Sequence, residues 1–248
     1  EPLEPRILLS AELYSNMTGT ANDLTLQVDE VEDGFGNLVD TIQLINNEST
    51  DPETQVVVSQ AISDTSAVTI TGSEFDDILR LDFDFGQLFD SLSIRFDGNG
   101  GEDMLYGPSV DITWNITGEN SGDAGNLEFF GVEKLVGGPD NDDTFVFGSG
   151  GSLSGVLDGG TGTGTLDYSA FPDTAPVIVN LGMGIATGTA RITGIEKVIG
   201  GAGDDILIGD DNANELTGGA GNDILVRCLG NDTLAGGSGD DTYLLTPG

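Results

Sequence analysis

Residues that can bind a hard cation recur at every ninth position near the end of the sequence. Residues 200–244 divide without a gap into five nonapeptides: GGAGDDILI, GDDNANELT, GGAGNDILV, RCLGNDTLA and GGSGDDTYL. The sixth position of each nonapeptide holds a side-chain oxygen, from Asp205, Asn214, Asp223, Asp232 and Asp241. Because calcium takes six to eight oxygen ligands from carboxylates and carbonyl groups, turns of this kind have the donor groups that a calcium site needs.

The remaining positions of the nonapeptide indicate how such turns are held. Glycine recurs where a turn needs positive φ or a close approach of the backbone to an ion. The last three residues have the form x-U-x, a very short strand with one apolar side chain pointing inward. The predicted inward residues are Leu207, Leu216, Leu225, Leu234 and Tyr243. Such strands are too short to fold alone, so the pattern predicts a stack of coils.

Two nonapeptides make one coil of about 18 residues, so every second repeat stacks on the same side. This arrangement predicts one row of turns containing Asp205, Asp223 and Asp241, and a second row containing Asn214 and Asp232. An ion between stacked turns would bridge their side chains, which gives about three calcium ions in residues 200–244. We expect weaker binding in the second row, because Asn214 carries no charge.

The fourth repeat departs from the pattern, because Arg227 and Cys228 replace two glycines. A side chain there is expected to strain the turn or displace a carbonyl ligand. Cys228 is the one cysteine of the chain, so no internal disulfide can form. Cys228 could form an intermolecular disulfide, or its position in the turn could be incidental.

Weaker copies of the same phrase occur upstream and extend the predicted metal sites. GSEFDDILR at 72–80, GNGGEDMLY at 98–106 and GPDNDDTFV at 138–146 place Asp77, Asp103 and Asp143 at the sixth position. GGTGTGTLD at 159–167 has Gly164 there instead. Their separations are roughly 20 or 40 residues, which fits one or two coils of a continuous solenoid.

The sequence therefore predicts an all-β fold: a right-handed parallel β-helix or β-roll solenoid with calcium-binding turns and an N-terminal β-rich cap. Three regions are expected: a cap or donated-strand region at 1–60, a degenerate solenoid at 61–199 and the regular β-roll at 200–248. Region 1–60 lacks the glycine-aspartate phrase, so it could instead form a small separate β-domain. An open solenoid end requires a cap or a partner.

Composition restricts the possible partners. The formal net charge of −36 argues against nucleic acid and anionic membranes as partners. The chain has no His and one Cys, which excludes histidine acid–base chemistry and ordinary zinc sites. The sequence has no run of about 18 apolar residues, so it predicts no transmembrane segment. Like charges oppose compaction, so we expect folding to depend on calcium.

Two stretches resemble known bacterial families. LEPRILLSA at 3–11 is similar to the LEPR-XLL motif of very large bacterial surface proteins, and residues 200–244 resemble the RTX nonapeptide repeat. Phrases in 111–209, such as FFGVEKLVGG, resemble repeat blocks of giant RTX adhesins. The resemblance implies a protein of the extracellular space or the bacterial cell surface, exported by type I secretion and folded by calcium outside the cell.

Several functions fit these observations. The leading prediction is a structural or adhesive module that assembles with other copies into a filament or layer. A monomeric calcium-stiffened spacer within a larger adhesin is the main alternative, and a module for ice or glycans is another. A polysaccharide-acting enzyme is disfavoured, because the acidic pairs Asp76/Asp77, Asp142/Asp143 and Asp204/Asp205 already fall within the calcium phrase. We therefore expect no catalysis, and Trp114 and Phe129 are assigned to the core.

Overall fold

A computed structural model describes residues 21–33, 35–50, 55–83 and 92–245. The LEPR-XLL-like segment and the proposed donated strand within 1–20 lie outside these residues. The described elements are β-strands and one short 3-10 helix, Ile62–Asp64. In chain order the strands are β1 (Asp23–Glu32), β2 (Leu38–Asn46), β3 (Val56–Ala61), β4 (Ala67–Thr71), β5 (Ile78–Asp82), β6 (Ser93–Asp97), β7 (Met104–Tyr106), β8 (Thr113–Gly118), β9 (Ser121–Ala124), β10 (Leu127–Phe130), β11 (Lys134–Val136), β12 (Thr144–Phe147), β13 (Leu153–Asp158), β14 (Thr165–Asp167), β15 (Ile178–Asn180), β16 (Ile185–Ala186), β17 (Thr189–Thr193), β18 (Lys197–Ile199), β19 (Ile206–Ile208), β20 (Glu215–Ala220), β21 (Ile224–Arg227), β22 (Thr233–Ser238) and β23 (Thr242–Leu245).

The strands form three sheets in which parallel pairing dominates. The eight-stranded sheet has the order β17-β13-β11-β7-β5-β1-β2-β3. Within it, neighbouring strands pair in parallel from β1 through β5, β7, β11 and β13 to β17. The ten-stranded sheet has the order β22-β20-β18-β14-β12-β8-β9-β10-β6-β4. The five-stranded sheet has the order β16-β15-β19-β21-β23. The all-β prediction is confirmed by these elements.

The sheets are mixed, which the sequence analysis did not predict. Strands β1 to β3, β8 to β10, and the pair β15 and β16 are antiparallel neighbours. None of the three sheets closes on itself within the described residues. The antiparallel pairs fall in stretches that lack the nonapeptide phrase, where no stacked turn dictates a parallel return. The right-handed parallel β-helix or β-roll solenoid therefore remains a prediction.

Successive coils place apolar residues directly above one another. Leu207 pairs with Leu225 and Leu225 pairs with Tyr243 in the five-stranded sheet, and Leu216 pairs with Leu234 in the ten-stranded sheet. The prediction that the eighth position points inward is confirmed for four upstream residues and three in the regular repeats, all fully or almost fully buried: Leu79, Leu105, Phe145, Leu166, Leu207, Leu216 and Leu225. Tyr243, in the last described coil, is half exposed.

One apolar core runs through the described chain. It extends from Leu24 in β1 to Leu225 in β21 without a break at residues 60 or 199. Trp114 and Phe129 are fully buried and meet edge to face, with ring centroids 6.0 Å apart. The division at 60 and 199 therefore remains a prediction about domains rather than a visible boundary. No helix in the described part of the chain is long and apolar enough to span a membrane.

Candidate metal-binding turns

In many coils the residue just before a strand occupies the same place in the turn. These residues stack above one another in three columns, one beside each sheet. The first column, beside the eight-stranded sheet, consists of Asn22, Asp77, Asp103 and Glu133. The second, beside the ten-stranded sheet, consists of Ile112, Asp143, Gly164, Glu196, Asn214 and Asp232. The third, beside the five-stranded sheet, consists of Val177, Asp205, Asp223 and Asp241. All eight predicted metal residues lie in these columns.

Within a column, each acidic side chain reaches back to the coil before it. The backbone N–H of Asp205 donates to Oδ1 of Asp223 at 2.8 Å, and the N–H of Asp223 donates to Oδ1 of Asp241 at 3.1 Å. In the second column the N–H of Asn214 donates to Oδ1 of Asp232 at 3.0 Å. The structure thus places the predicted residues of 200–244 in the two expected rows.

The upstream residues repeat this bonding. The N–H of Asp77 donates to Oδ1 of Asp103 at 2.8 Å, and the N–H of Ile112 donates to Oδ1 of Asp143 at 3.0 Å. Asp77 in turn accepts the N–H of Asn22 at 2.9 Å. The degenerate copies therefore have the same local geometry as the regular repeats, although 26 to 55 residues separate the bonded partners.

In four turns the residue preceding the column acid bonds in the opposite direction. Oδ1 of Asp204 accepts the N–H of Asn222 at 2.7 Å, and Oδ1 of Asn222 accepts the N–H of Asp240 at 2.9 Å. Asp76 and Asp142 accept backbone N–H groups of the following coil in the same way. An Asp-Asp pair of this kind therefore links its turn to the coils on both sides. This structural role explains why two acids stand side by side without assigning them a catalytic role.

The glycine that opens each turn provides the close approach that the sequence predicted. A Cβ at Gly218 would fall closer than 3.0 Å to Oδ2 of Asp223 and to the carbonyl oxygen of Gly236 in the next coil. A carboxylate oxygen of the same turn and a carbonyl oxygen of the next coil converge in this way on five glycines: Gly72, Gly98, Gly137, Gly200 and Gly218. Glycine is required at these positions because any side chain would displace those oxygens.

Several carboxylate oxygens at these turns are buried without a hydrogen-bond donor. Among the described residues, these are Oδ2 of Asp103, Asp223 and Asp232. By contrast, Oδ2 of Asp205 and of Asp143 each accept an N–H of their own turn, from Gly201 and Gly138, at 2.6 Å. A buried anionic oxygen without a donor is costly, and a bound cation is one of the few groups that satisfies it.

Burial raises the pKa of four of the column acids, Asp103, Asp143, Asp205 and Asp223, because it disfavours their charged form. The pKa of Asp103 is raised to about 7, first by burial and further by the charges of Asp77 and Glu133. The pKa of Asp143 is raised to about 6, mainly by burial. Burial also raises the pKa of Asp205 and Asp223. In all four groups burial is the largest cause of the shift.

The residues present fit a hard cation that takes much of its shell from the backbone. No group of three or more Cys, Asp or Glu side chains converges within the part of the chain that the structure describes. An ion bound between turns would therefore combine one or two carboxylates, such as Asp223, with carbonyl groups such as that of Gly236. Calcium accepts such mixed oxygen shells readily, whereas magnesium requires a stricter octahedron.

Sequence reasoning missed two acidic members of the columns, Glu133 and Glu196. Oε2 of Glu133 accepts the N–H of Asp103, and Oε2 of Glu196 accepts the N–H of Gly164, both at 2.8 Å. Each Glu precedes a Lys and a short apolar strand, in the phrases GVEKL and GIEKV. An acid directly before such a strand was the signal that could have identified them.

Comparison with protein families agrees with the repeat pattern. Residues 193–225 and 229–245 match the model of the RTX calcium-binding nonapeptide repeat, in four copies. The match covers the regular repeats and leaves the upstream coils outside it. No curated protein matches the chain.

Proposed function

Because the chain carries RTX calcium-binding nonapeptide repeats, we propose that it is an extracellular, calcium-dependent structural and adhesive β-solenoid that assembles with other copies into a surface filament or layer. Calcium would be held at the column residues Asp77, Asp103, Asp143, Asp205, Asp223 and Asp241. In this proposal 1–60 forms the cap, 61–199 the degenerate solenoid and 200–248 the regular roll.

Coupling between calcium and folding follows from charge. A chain of net charge −36 repels itself, and five of the column acids are buried in the folded state: Asp77, Asp103, Asp143, Asp205 and Asp223. Binding of a divalent ion offsets both costs, so metal binding and folding become one event. Such a chain would remain extended in a calcium-poor cytoplasm and fold after secretion, which is the behaviour expected of a type I secretion substrate.

The exposed end of the stack carries the assembly proposal. Strand β23 pairs with β21 on one side, and no other strand in the described residues pairs with its outer edge. Tyr243 and Leu245 in this strand are 50% and 69% exposed, although Leu225 beneath Tyr243 is fully buried. An exposed edge with apolar side chains is a template for a further β-strand.

The leading function and its alternative differ in which strand pairs with the outer edge of β23. A coil from a second copy would propagate the stack into a filament, whereas a further coil of a longer adhesin would make the chain a monomeric, calcium-stiffened spacer or ligand-binding module. The acidic surface favours calcium-rich conditions for either contact, since divalent ions reduce the repulsion between copies.

Assembly is tested with Leu245→Lys, which places a charge on the exposed edge. In millimolar calcium we expect the unchanged chain to form regular filaments or sheets in electron micrographs and large species in sedimentation velocity. We expect the variant to keep its β-structure but sediment as a monomer. Phe35→Lys is the matched control, because it adds the same charge at a 93% exposed apolar residue in the β1–β2 turn.

Each result has a clear reading. Loss of assembly in Leu245→Lys but not in Phe35→Lys supports growth through β23. A chain that folds with calcium yet stays monomeric at every concentration contradicts assembly and favours the spacer. Equal assembly of both variants shows that another surface joins the copies.

A further inference from the structure

We propose that Arg227 replaces calcium in the second row of turns, so that calcium binding within 200–244 is confined to the row of Asp205, Asp223 and Asp241. This inference rests on the proposed calcium function. It narrows the sequence prediction of about three ions in this region to about two, one for each gap between the three stacked turns of that row.

The first observation is the surroundings of Asp232. Its side chain is 1% exposed, and its Oδ2 has no hydrogen-bond donor within the described residues. Nε of Arg227 lies 3.7 Å from that oxygen. Arg227 stands at the first position of the repeat, where the turns of the other row have Gly200, Gly218 and Gly236. The guanidinium thus provides a permanent positive charge beside a buried carboxylate.

The second observation is the charge of the two rows. Asn214 is neutral, and its Oδ1 already accepts the N–H of Asp210 at 2.8 Å. The second row therefore pairs one carboxylate with one guanidinium. The other row has three carboxylates, and Oδ2 of Asp223 is buried without a hydrogen-bond donor within the described residues. A divalent cation beside Arg227 would meet charge repulsion, whereas beside Asp223 it would meet two neighbouring acids.

The third observation is the backbone of the two rows. At Gly200 and Gly218 a carboxylate oxygen and a carbonyl oxygen of the next coil converge closely on the glycine. At Gly209, in the second row, the Oδ1 of Asn214 lies within 3.0 Å of the Cβ position, but the nearest carbonyl oxygen, that of Val226, is 3.7 Å away. The second row therefore lacks the paired oxygens that the other row presents to an ion.

Turn conformation differs in the same sense for two of the three repeats in the row of Asp205, Asp223 and Asp241. In the repeats beginning at Gly218 and Gly236 the glycines at the second and fourth positions take positive φ, between 110° and 133°, whereas Gly201 and Gly203 in the repeat beginning at Gly200 do not. In the second row only Gly230 does so, with φ of 99°; Asp210, Asn212 and Cys228 have ordinary backbone conformations. The roll thus has a calcium edge and an arginine edge, and the arginine edge holds its turns together without an ion.

The bound calcium count tests this assignment. Equilibrium dialysis followed by elemental analysis would be applied to the unchanged chain, Asp223→Asn, Asp232→Asn and the double variant Arg227→Gly/Asn214→Asp. We expect Asp223→Asn to lose at least one ion and Asp232→Asn to lose none. We expect the double variant, which restores the glycine and the charge, to gain about one ion. Loss of an ion in Asp232→Asn, or no gain in the double variant, would overturn the inference.

A double-mutant cycle separates this inference from the calcium proposal. Arg227→Gln and Asp232→Asn are each expected to lower the midpoint of thermal unfolding by about 3 °C, and their combination to lower it by no more than either alone. If the chain binds no calcium, the proposed function is contradicted. The double-mutant cycle would still show whether the side chains of Arg227 and Asp232 interact. Additive effects in the cycle would contradict the pairing.

Discussion

Replacing Asp223 by Asn raises the calcium concentration needed for half-maximal folding by about tenfold or more. Asp223 joins two coils, because its Oδ1 accepts the N–H of Asp205 while its Oδ2 is buried without a donor beside the carbonyl oxygen of Gly236. Asn can keep the first bond, but it brings no charge and turns an N–H2 group towards the other oxygens. Circular dichroism during a calcium titration measures the shift.

Asp240→Asn is the matched control for this substitution. It removes the same charge from the turn of the following coil, but Asp240 is exposed and lies outside the columns. We expect its folding midpoint in calcium to change by less than about twofold. Equal shifts in both variants would show that overall charge, and not a bridging carboxylate, governs the response to calcium.

Replacing Gly218 by Ala lowers the midpoint of thermal unfolding in calcium by about 5–10 °C. The added methyl group would lie closer than 3.0 Å to both Oδ2 of Asp223 and the carbonyl oxygen of Gly236. Neither oxygen can retreat easily, because one belongs to the next coil's backbone and the other to a fully buried side chain. The variant is also expected to bind calcium more weakly, since these oxygens are the proposed ligands.

Gly150→Ala provides the comparison. Gly150 is exposed, has no positive φ and has nothing within 4 Å of its Cβ position. Removing a glycine there reduces the freedom of the unfolded chain, so stability should be unchanged or slightly higher. Differential scanning calorimetry of both variants separates a packing effect at Gly218 from a general effect of alanine. An undisturbed Gly218→Ala variant would contradict the close approach of the coils.

The nonapeptide pattern predicted much of this arrangement, because it specifies a turn and a strand in every nine residues. Leu207 and Leu225 point inward, and Asp205, Asp223 and Asp241 form one column, as the period requires. Burial of Leu79 and Leu105 shows that even degenerate copies keep this local geometry. Short-range periodicity is sufficient here because each coil repeats the contacts of its neighbour.

The sequence did not predict contacts between coils of unequal length. Glu133 bonds to Asp103 across 30 residues and Glu196 to Gly164 across 32, and no fixed period connects them. The antiparallel strands β8 to β10 fall in a stretch without the glycine-aspartate phrase, so the repeat gave no information there. The contact between Arg227 and Asp232 depends on a side-chain conformation that spacing alone does not specify.

If calcium joins the coils and so folds the chain, a calcium titration at constant ionic strength will show both events together. Far-ultraviolet circular dichroism and bound calcium would be followed on the same sample, with magnesium as the comparison ion. We predict a cooperative change from coil to β-structure that coincides with calcium binding and is not reproduced by an equal concentration of magnesium. If calcium changes neither the secondary structure nor the stability of the chain, calcium does not join the coils and the account is wrong.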